Sequence, residues 1–207
     1  MRLLVTGAGG GVARAFLAQV PPHHDVRAFE HGHFDVGDFD AVMQTVVPLA
    51  PELIVNLAAL AKVDACEADP ERAFRDNAVG PHNLALAARE IGATLLHVST
   101  DYVFDGSKGA PYDEADTPNP LSVYGRSKLL GEEMVRRTVP EHLVVRTSFV
   151  FGGGADFLTG AVKRLIAGEE VRAVADRIGS PTDVTELAAY TAVLNMILNL
   201  DEVITKE

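Results

Sequence analysis

The sequence contains little of what disulfide-rich and membrane-spanning proteins depend on. Its 207 residues include one cysteine, Cys66, and no tryptophan, so an internal disulfide framework is excluded. No apolar run reaches the length of about 18 residues that a membrane-spanning helix needs, and the first residues already have the pattern of a strand, without a basic leader. We therefore expect a globular cytoplasmic protein with no membrane partner.

Positive charge is also scarce. There are 18 Lys and Arg residues against 29 Asp and Glu residues, which gives a net charge of −11. Because affinity for nucleic acid comes mainly from clustered Lys and Arg, we expect no nucleic-acid partner. The seven histidines show no spacing typical of metal ligands, so we also expect no metal site. By contrast, hydrophobic residues make up 47% of the chain, enough for a sizeable core.

A glycine-rich turn follows the first apolar segment. Residues 2–6 lead into the sequence GAGGGVA at positions 7–13, and apolar residues at helical spacing come next. A G-x-x-G-x-x-A pattern lets the backbone turn sharply, approach a pyrophosphate and pack a helix closely on a sheet. The pattern predicts a strand, turn and helix that bind a dinucleotide through Gly7, Gly10, Gly11 and Val12.

The second apolar segment, residues 26–29, ends in Glu30. A carboxylate at this place normally accepts hydrogen bonds from ribose hydroxyls, and it would repel a 2′-phosphate. We therefore expect NAD(H) or NADP(H) as cofactor, with a preference for NAD(H), although the histidines at 31 and 33 would soften that preference.

Asp35 and Val36 come just before a predicted helix, whose buried face we assign to Phe39, Val42, Met43, Val46 and Val47. Two interpretations of Asp35 stay open. It either begins this helix or contacts the adenine amino group of a cofactor, and we place Val36 beside it in the cofactor site.

Two further apolar segments predict the middle of a parallel sheet, because their apolar residues are almost continuous. The first, residues 53–59, ends in Ala58 and Ala59, which we expect to line the nicotinamide ribose. A long helix should follow, from residues 69–70 to about residue 91. Its Asn77 is polar on a core-facing stretch, so it is either a structural hydrogen-bonding residue or a cofactor contact.

The next predicted strand, residues 94–98, delivers Thr100 at its carboxyl end, and a loop over residues 105–120 leads to Tyr124 and Lys128. The tyrosine and the lysine are four residues apart in a helical pattern, so they share one helix face. A lysine beside a tyrosine favours the phenolate and should lower the phenol pKa, which would suit proton transfer to a carbonyl oxygen. The alternative is that the pair belongs to a solvated helix face.

Together these motifs resemble the extended short-chain dehydrogenase/reductase family, and within it the dTDP-4-dehydrorhamnose reductases. The resemblance covers residues 1 to about 190 and implies a Rossmann-type α/β fold with a doubly wound parallel sheet. It rests on five groups of residues: Val63 and Asp64 with Cys66, Glu67 and Pro70; residues 99–106; residues 118–128; residues 146–148; and residues 176–182.

The resemblance also implies roles for individual residues. Thr100, Tyr124 and Lys128 would form the catalytic set, with Tyr124 as the proton donor and both Tyr124 and Lys128 at the cofactor. Asp101, Tyr102 and Arg177 would face a sugar-nucleotide substrate. Phe149 stands where the family usually has a tryptophan, which would loosen stacking on that substrate.

We divide the chain into a dinucleotide-binding domain, residues 1–150, and a partial substrate-binding lobe, residues 151–207. Residues 185–200 predict one helix, whose uncovered apolar face would favour a homo-oligomer. Two alternative functions are consistent with this domain organisation. The first is reduction of a keto-sugar nucleotide with NAD(P)H, and a short lobe would impair it. The second is a non-catalytic nucleotide-binding or regulatory subunit, similar to the regulatory beta subunit of methionine adenosyltransferase.

Overall fold

A computed structural model describes residues 1–152, 163–164, 166–167 and 182–184. The chain divides into two compact units. The first comprises residues 1–9 and 23–147, and the second comprises residues 10–22 together with the described residues from 148 onward. The predicted helix over 185–200 and Arg177 lie outside the described residues. The predicted domain boundary at residue 150 stays a prediction.

The first unit is built on a five-stranded parallel sheet with the strand order β2-β1-β3-β4-β5. The order reverses between β1 and β3, so chain connections leave this point in opposite directions, and such sheets bind ligands at the carboxyl ends of the strands there. The predicted Rossmann-type parallel sheet is confirmed. Its strands are β1 (Arg2–Thr6), β2 (Asp25–Phe29), β3 (Leu53–Asn56), β4 (Thr94–Thr100) and β5 (His142–Thr147).

Six α-helices alternate with these strands in the described part of the chain. A π-helical turn, Arg75–Val79, joins α4 to α5, and a 3₁₀ turn, Asp101–Val103, follows β4. The helices are α1 (Gly11–Gln19), α2 (Phe39–Leu49), α3 (Val63–Ala68), α4 (Pro70–Phe74), α5 (Gly80–Ile91) and α6 (Val123–Thr138).

The main core of the first unit lies between one face of the sheet and three helices. Leu4, Ile54 and Leu95 from the three central strands pack with Val42 and Val46 of α2. From α5 and α6 come five more buried side chains, and the small ones let helix and sheet approach closely. They are Leu84, Ala85, Ala87, Ala88 and Val135.

The start of α2 differs in two ways from the prediction. Asp38, not Asp35, caps this helix by accepting a hydrogen bond from the Ala41 amide at 3.0 Å, so helix entry is the wrong interpretation of Asp35. Phe39 was expected on the buried face, but it is 48% exposed because it occupies the first helical position, before the buried stripe begins at Val42.

The second unit contains α1 and a short pair of strands. Gly10 precedes α1 with extended backbone angles and gives no side-chain cap. The strands β6 (Val150–Phe151) and β7 (Thr182–Asp183) pair in parallel. Across both units, no helix within the described ranges is long and apolar enough to cross a membrane.

A buried carboxylate fixes α6 to β5. Glu132 is fully buried, and Arg146 of β5 donates to its two oxygens at 2.6 to 3.2 Å, while Arg136 donates from the next turn of α6 at 2.8 Å. Burial alone would raise the pKa of the Glu132 carboxyl, but the arginines outweigh it and lower that pKa. Removing the charge would leave two arginines without their acceptor.

We therefore predict that Glu132→Gln lowers the free energy of unfolding by about 3 kcal/mol, in the range for one broken buried ion pair. The matched control is Glu133→Gln, since Glu133 is 45% exposed and meets Arg137 only at 3.6 Å. It should change stability by less than about 0.5 kcal/mol. Urea denaturation of both variants is the measurement. Equal decreases in the free energy of unfolding would contradict the assignment of Glu132 as the buried ion-pair partner that holds α6 to β5.

Candidate active site

The structure brings the three predicted catalytic residues together at the carboxyl end of β4. Thr100 is the last residue of this strand, while Tyr124 lies in the first turn of α6 and Lys128 one turn later. The start of α6 is fixed by two hydrogen bonds. The Ser122 hydroxyl accepts from the Gly125 amide at 3.0 Å, and the Glu67 carboxylate accepts from the Val123 amide at 2.7 Å.

Two glycines let α6 approach the neighbouring backbone. A Cβ at Gly125 would lie 2.2 Å from the Tyr102 carbonyl oxygen, and a Cβ at Gly131 would lie 2.2 Å from that of Asn77. No side chain fits at either place, because both obstacles are backbone atoms. Gly125 therefore permits the close approach of α6 to the turn after β4, and Gly131 permits its close approach to the π-helical turn.

Tyr124 is half-buried, and its ring packs edge-on against Tyr102, with the ring centroids 5.4 Å apart. Burial raises the pKa of its phenol, and a side-chain hydrogen bond with Thr100 opposes part of that rise. The expectation that the phenol pKa would be lowered is therefore wrong, because loss of solvent outweighs the favourable contacts. The phenol is consequently protonated at neutral pH and can donate a proton.

Lys128 is almost completely buried, with 2% of its surface exposed. Its ammonium Nζ donates to the Val98 carbonyl oxygen at 2.7 Å and lies 3.4 Å from Nε2 of His97. Burial lowers the pKa of Lys128 to about 8, although the charge of Glu132 acts in the opposite direction. This lysine is therefore not a solvated residue, which rules out the alternative of an exposed helix face.

Sequence reasoning missed the polar side chains behind Lys128. Thr6, Asn56 and His97 lie on three adjacent strands and are all buried. The Thr6 hydroxyl donates to Asn56 Oδ1 at 2.7 Å, and Asn56 Nδ2 lies 2.9 Å from His97 Nδ1. The available signal was weak: each of these strands has one of the three residues next to its apolar core residues, but β1 and β4 contain other polar residues as well.

Asn77 lies in the π-helical turn and acts as a structural hydrogen-bonding residue. Its side-chain oxygen accepts from the Leu60 amide at 2.8 Å, and its nitrogen donates to the Leu60 carbonyl at 3.1 Å and to the Ser127 hydroxyl at 3.0 Å. It thus ties the segment after β3 to α6. Its predicted contact with a cofactor stays a prediction.

Of the residues predicted to face a substrate, Asp101 and Tyr102 belong to the first unit and Phe149 belongs to the second. The Tyr102 amide donates to the Thr100 hydroxyl at 3.2 Å, and that hydroxyl lies 3.2 Å from Asp101 Oδ1. Phe149 belongs to the second unit, where it is 40% exposed and has a left-handed backbone with φ of 41°. A bulky residue rarely adopts this conformation, which is typical of functional or turn positions.

The loop before α6 is organised by Asp105. Its carboxylate accepts hydrogen bonds from the Ser107 amide and hydroxyl, the Tyr112 hydroxyl and the Asn119 side chain, at 2.7 to 2.9 Å. These donors, Ser107 first, hold the pKa of Asp105 well below its usual range. The predicted long loop is therefore ordered by its own side chains.

The glycine-rich turn after β1 contains several of the residues that we expect to bind a dinucleotide. Gly7 has φ of 70°, and a Cβ there would lie 2.6 Å from the Leu57 carbonyl oxygen, so the sharp turn after β1 requires glycine. The three atoms nearest to a Cβ at Gly9 all belong to the Glu30 side chain, at 3.6 to 3.9 Å, so Glu30 lies against this turn.

The other expected cofactor residues are placed as follows. Ala58 is half-buried and Ala59 exposed beyond the end of β3, whereas Gly10, Gly11 and Val12 form the start of α1 in the second unit. Asp35 accepts from the Gly37 amide at 2.9 Å and pairs with Arg75, and Val36 is buried in the core. Among the residues that the structure describes, no cluster of His, Cys, Asp or Glu could hold a metal ion.

Comparison with known proteins identifies relatives along most of the chain. The family model described as the RmlD substrate binding domain matches residues 1–202. A dTDP-4-dehydrorhamnose reductase of Sinorhizobium fredii is 40% identical over 189 residues, which are 91% of this chain. The match spans only 64% of that relative's length.

Two solved structures have the same fold. A dTDP-4-dehydrorhamnose reductase of Clostridium acetobutylicum has a TM-score of 0.90 and 36% identity, covering 96% of this chain and 71% of that one. The enzyme of the same name from Bacillus anthracis, solved in complex with NADP, has a TM-score of 0.90 and 35% identity, covering 93% and 69%.

The tight contact at Gly125 yields a prediction. Gly125→Ala should lower the free energy of unfolding by about 1 to 3 kcal/mol, because the added methyl group forces α6 away from the Tyr102 backbone. Gly32→Ala is the control, since a Cβ at Gly32 has no neighbour within 4 Å. Thermal unfolding of both variants is the measurement. A Gly125→Ala protein as stable as the control would mean that the helix can shift without loss.

Proposed function

The chain belongs to the family of the RmlD substrate binding domain, and from this premise we propose that it is a reductase of a nucleotide-linked keto-sugar of the dTDP-4-dehydrorhamnose type. The observation that carries the proposal is the convergence of Thr100, Tyr124 and Lys128 at the carboxyl end of β4. The reductases named above are similar to this chain over nearly its whole length, which supports the choice of substrate class.

The proposed chemistry is reduction of a carbonyl to an alcohol. A bound nicotinamide cofactor supplies the hydride for this reaction. As the carbonyl carbon gains the hydride, its oxygen develops negative charge, which hydroxyl donors from Thr100 and Tyr124 stabilise from two sides. Tyr124 then gives its proton to that oxygen. The raised pKa of the phenol keeps this proton in place before the reaction.

Lys128 lies one helical turn from Tyr124, and its Nζ is held by the Val98 carbonyl oxygen. A positive charge here favours the phenolate that forms when Tyr124 loses its proton. Because Lys128 is buried, this electrostatic effect is not screened by solvent. We also assign Lys128 and Tyr124 to the side of the site where the nicotinamide ribose binds.

For the cofactor, we propose NAD(H) or NADP(H), with NAD(H) preferred. Gly9 lies against the Glu30 side chain, at 3.6 Å from the position of a Cβ, and the Glu30 carboxylate would accept from the ribose hydroxyls and repel a 2′-phosphate. The Bacillus anthracis relative was solved with NADP, so the preference is a specific test of Glu30 in this chain.

On the substrate side, Asp101, Tyr102, Phe149 and Arg177 would face the sugar nucleotide. Asp101 and Tyr102 follow Thr100 directly in the chain, which supports assigning them to the substrate side of the site. The regulatory-subunit alternative gains no support, since the relatives named above are reductases and the three catalytic side chains are all present.

The assignment of Tyr124 predicts that Tyr124→Phe lowers kcat by about 10² to 10⁴-fold, the usual contribution of a general acid, with cofactor affinity nearly unchanged. Lys128→Met should reduce both turnover and cofactor affinity. The control is Lys62→Met, at an exposed lysine. Turnover is followed at the nicotinamide absorbance and affinity by calorimetry. A Tyr124→Phe protein that keeps most of its activity would assign the proton donor to another group.

The assignment of Glu30 predicts that the wild-type chain binds NADH more tightly than NADPH, and that Glu30→Ser narrows this difference by removing the repulsion of the 2′-phosphate. Calorimetric titration with both cofactors is the measurement. Glu90→Ser, at an exposed glutamate of α5, removes the same charge elsewhere and should leave the ratio of the two affinities unchanged. Equal wild-type affinities would refute the assignment.

A further inference from the structure

Lys128 is the end of a row of buried polar side chains that crosses three strands of the sheet. Thr6, Asn56 and His97 occupy paired register positions on β1, β3 and β4. The row continues from His97 Nε2 to Lys128 Nζ, 3.4 Å away. All four side chains are at most 2% exposed, so each hydrogen-bonding atom must find its partner within the protein.

The orientation of the Asn56 amide is fixed by a group that can only donate. The Ala58 backbone N–H lies 3.2 Å from Asn56 Oδ1, and the Thr6 hydroxyl donates to the same oxygen. The Asn56 NH₂ group must therefore point towards His97, where Nδ2 lies 2.9 Å from Nδ1. Reversing the amide would set two N–H donors against each other at Ala58.

This orientation determines where His97 carries its proton. Burial, followed by the charges of Lys128 and Arg136, lowers the pKa of His97 well below its usual value, so the imidazole is neutral. A neutral imidazole has one N–H and one acceptor nitrogen. Because Nδ1 accepts from Asn56, the proton is on Nε2, which faces Lys128.

A proton on Nε2 of His97 affects the ammonium form and the neutral amine form of Lys128 differently. An ammonium group would set its N–H bonds against the Nε2–H of His97, whereas a neutral amine would accept that N–H through its lone pair. The Val98 carbonyl oxygen, 2.7 Å from Nζ, can accept a hydrogen bond in both states, so it does not discriminate between them.

We infer that Asn56 and His97 are positioning residues that disfavour the ammonium form of Lys128, so that this lysine exchanges a proton instead of remaining a fixed cation. The row of Thr6, Asn56 and His97 and the burial of the amine both lower the pKa of Lys128 in this account. The consequence for catalysis, a turnover that changes as Lys128 titrates, rests on the proposed function, but the protonation itself does not.

Other charged groups around α6 act on the same lysine. The Glu132 carboxylate, one turn further along α6, favours the ammonium form of Lys128. This carboxylate is already paired with Arg136 of α6 and Arg146 of β5.

Tyr124 lies one turn before Lys128, and its phenol is neutral below its raised pKa. From the 3₁₀ turn, Asp101 faces Tyr124 and Thr100.

The inference is tested by NMR of the free, full-length chain, without substrate or cofactor. In ¹⁵N-labelled protein, long-range coupling within the imidazole should show the proton of His97 on Nε2. In protein with ¹³C-labelled lysine, the Lys128 side chain, assigned by its loss in Lys128→Met, should titrate near pH 8. A proton on Nδ1, or titration of Lys128 at the usual value for lysine, would overturn the inference.

The Asn56→Leu variant tests the mechanism without altering any group that touches Lys128. It frees the imidazole to present an unprotonated Nε2 to the ammonium group, so the pKa of Lys128 should rise by about one, as expected for one gained hydrogen bond. Thr6→Val is the matched control. It leaves the Ala58 amide to hold Asn56, so the pKa of Lys128 should not change.

A Lys128 pKa that is the same in Asn56→Leu as in the wild type would show that burial alone acts, and would overturn the role of the row. If Asn56→Leu does not fold, the position of the His97 proton in the wild-type protein still decides. Failure of the reductase assay leaves these measurements unaffected, so the two proposals can fail separately.

Discussion

The burial of the Lys128 ammonium group is the constraint on which the rest of the site depends. A lysine amine taken out of water needs a hydrogen-bond acceptor in a fixed place, and here the Val98 carbonyl oxygen accepts from Nζ at 2.7 Å. The polar row on β1, β3 and β4 ends at His97, 3.4 Å from the same Nζ. Burial requires α6 to pack closely on its neighbours, and the glycines at 125 and 131 permit its close approach to the backbone of Tyr102 and of Asn77. The Glu132 ion pair then holds the same helix to β5. Tyr124 and Thr100 are brought together as a consequence of this packing.

The buried polar residues fall into two groups with different functions. The Glu132 cluster and Asn77 hold elements together, and their partners are complete within the protein. Thr100, Tyr124 and Lys128 instead meet at the end of a strand, where sheets of this type bind ligands. A site that must lower a barrier by electrostatic stabilisation gains from such rigid support, because its donors are already oriented before the substrate arrives.

The sequence was sufficient for the sheet and for the turn at Gly7, because each depends on a local pattern. The catalytic set of Thr100, Tyr124 and Lys128 came from a family resemblance, and its role stays a prediction. The sequence was insufficient where the partners are far apart in the chain. Asn56 is 50 residues from Thr6 and 41 residues from His97 in the sequence. In each strand, the sequence alone does not show that the polar residue has a buried polar partner. The phenol pKa was predicted in the wrong direction because the extent of burial is a tertiary property. The cap of α2 at Asp38 was not predicted, because it depends on backbone angles and on the hydrogen bond to the Ala41 amide.

The central claim, that this chain transfers a hydride to a keto-sugar nucleotide, is tested most directly by an isotope. The 207-residue chain is incubated with a dTDP-linked 4-keto-sugar and with NADH or NADPH that carries deuterium at the transferable position of the nicotinamide ring. Our account predicts a sugar alcohol with one deuterium on the former carbonyl carbon, detected by mass spectrometry and NMR. A chain that binds the deuterated cofactor and the sugar nucleotide, yet yields no deuterated alcohol, would contradict it.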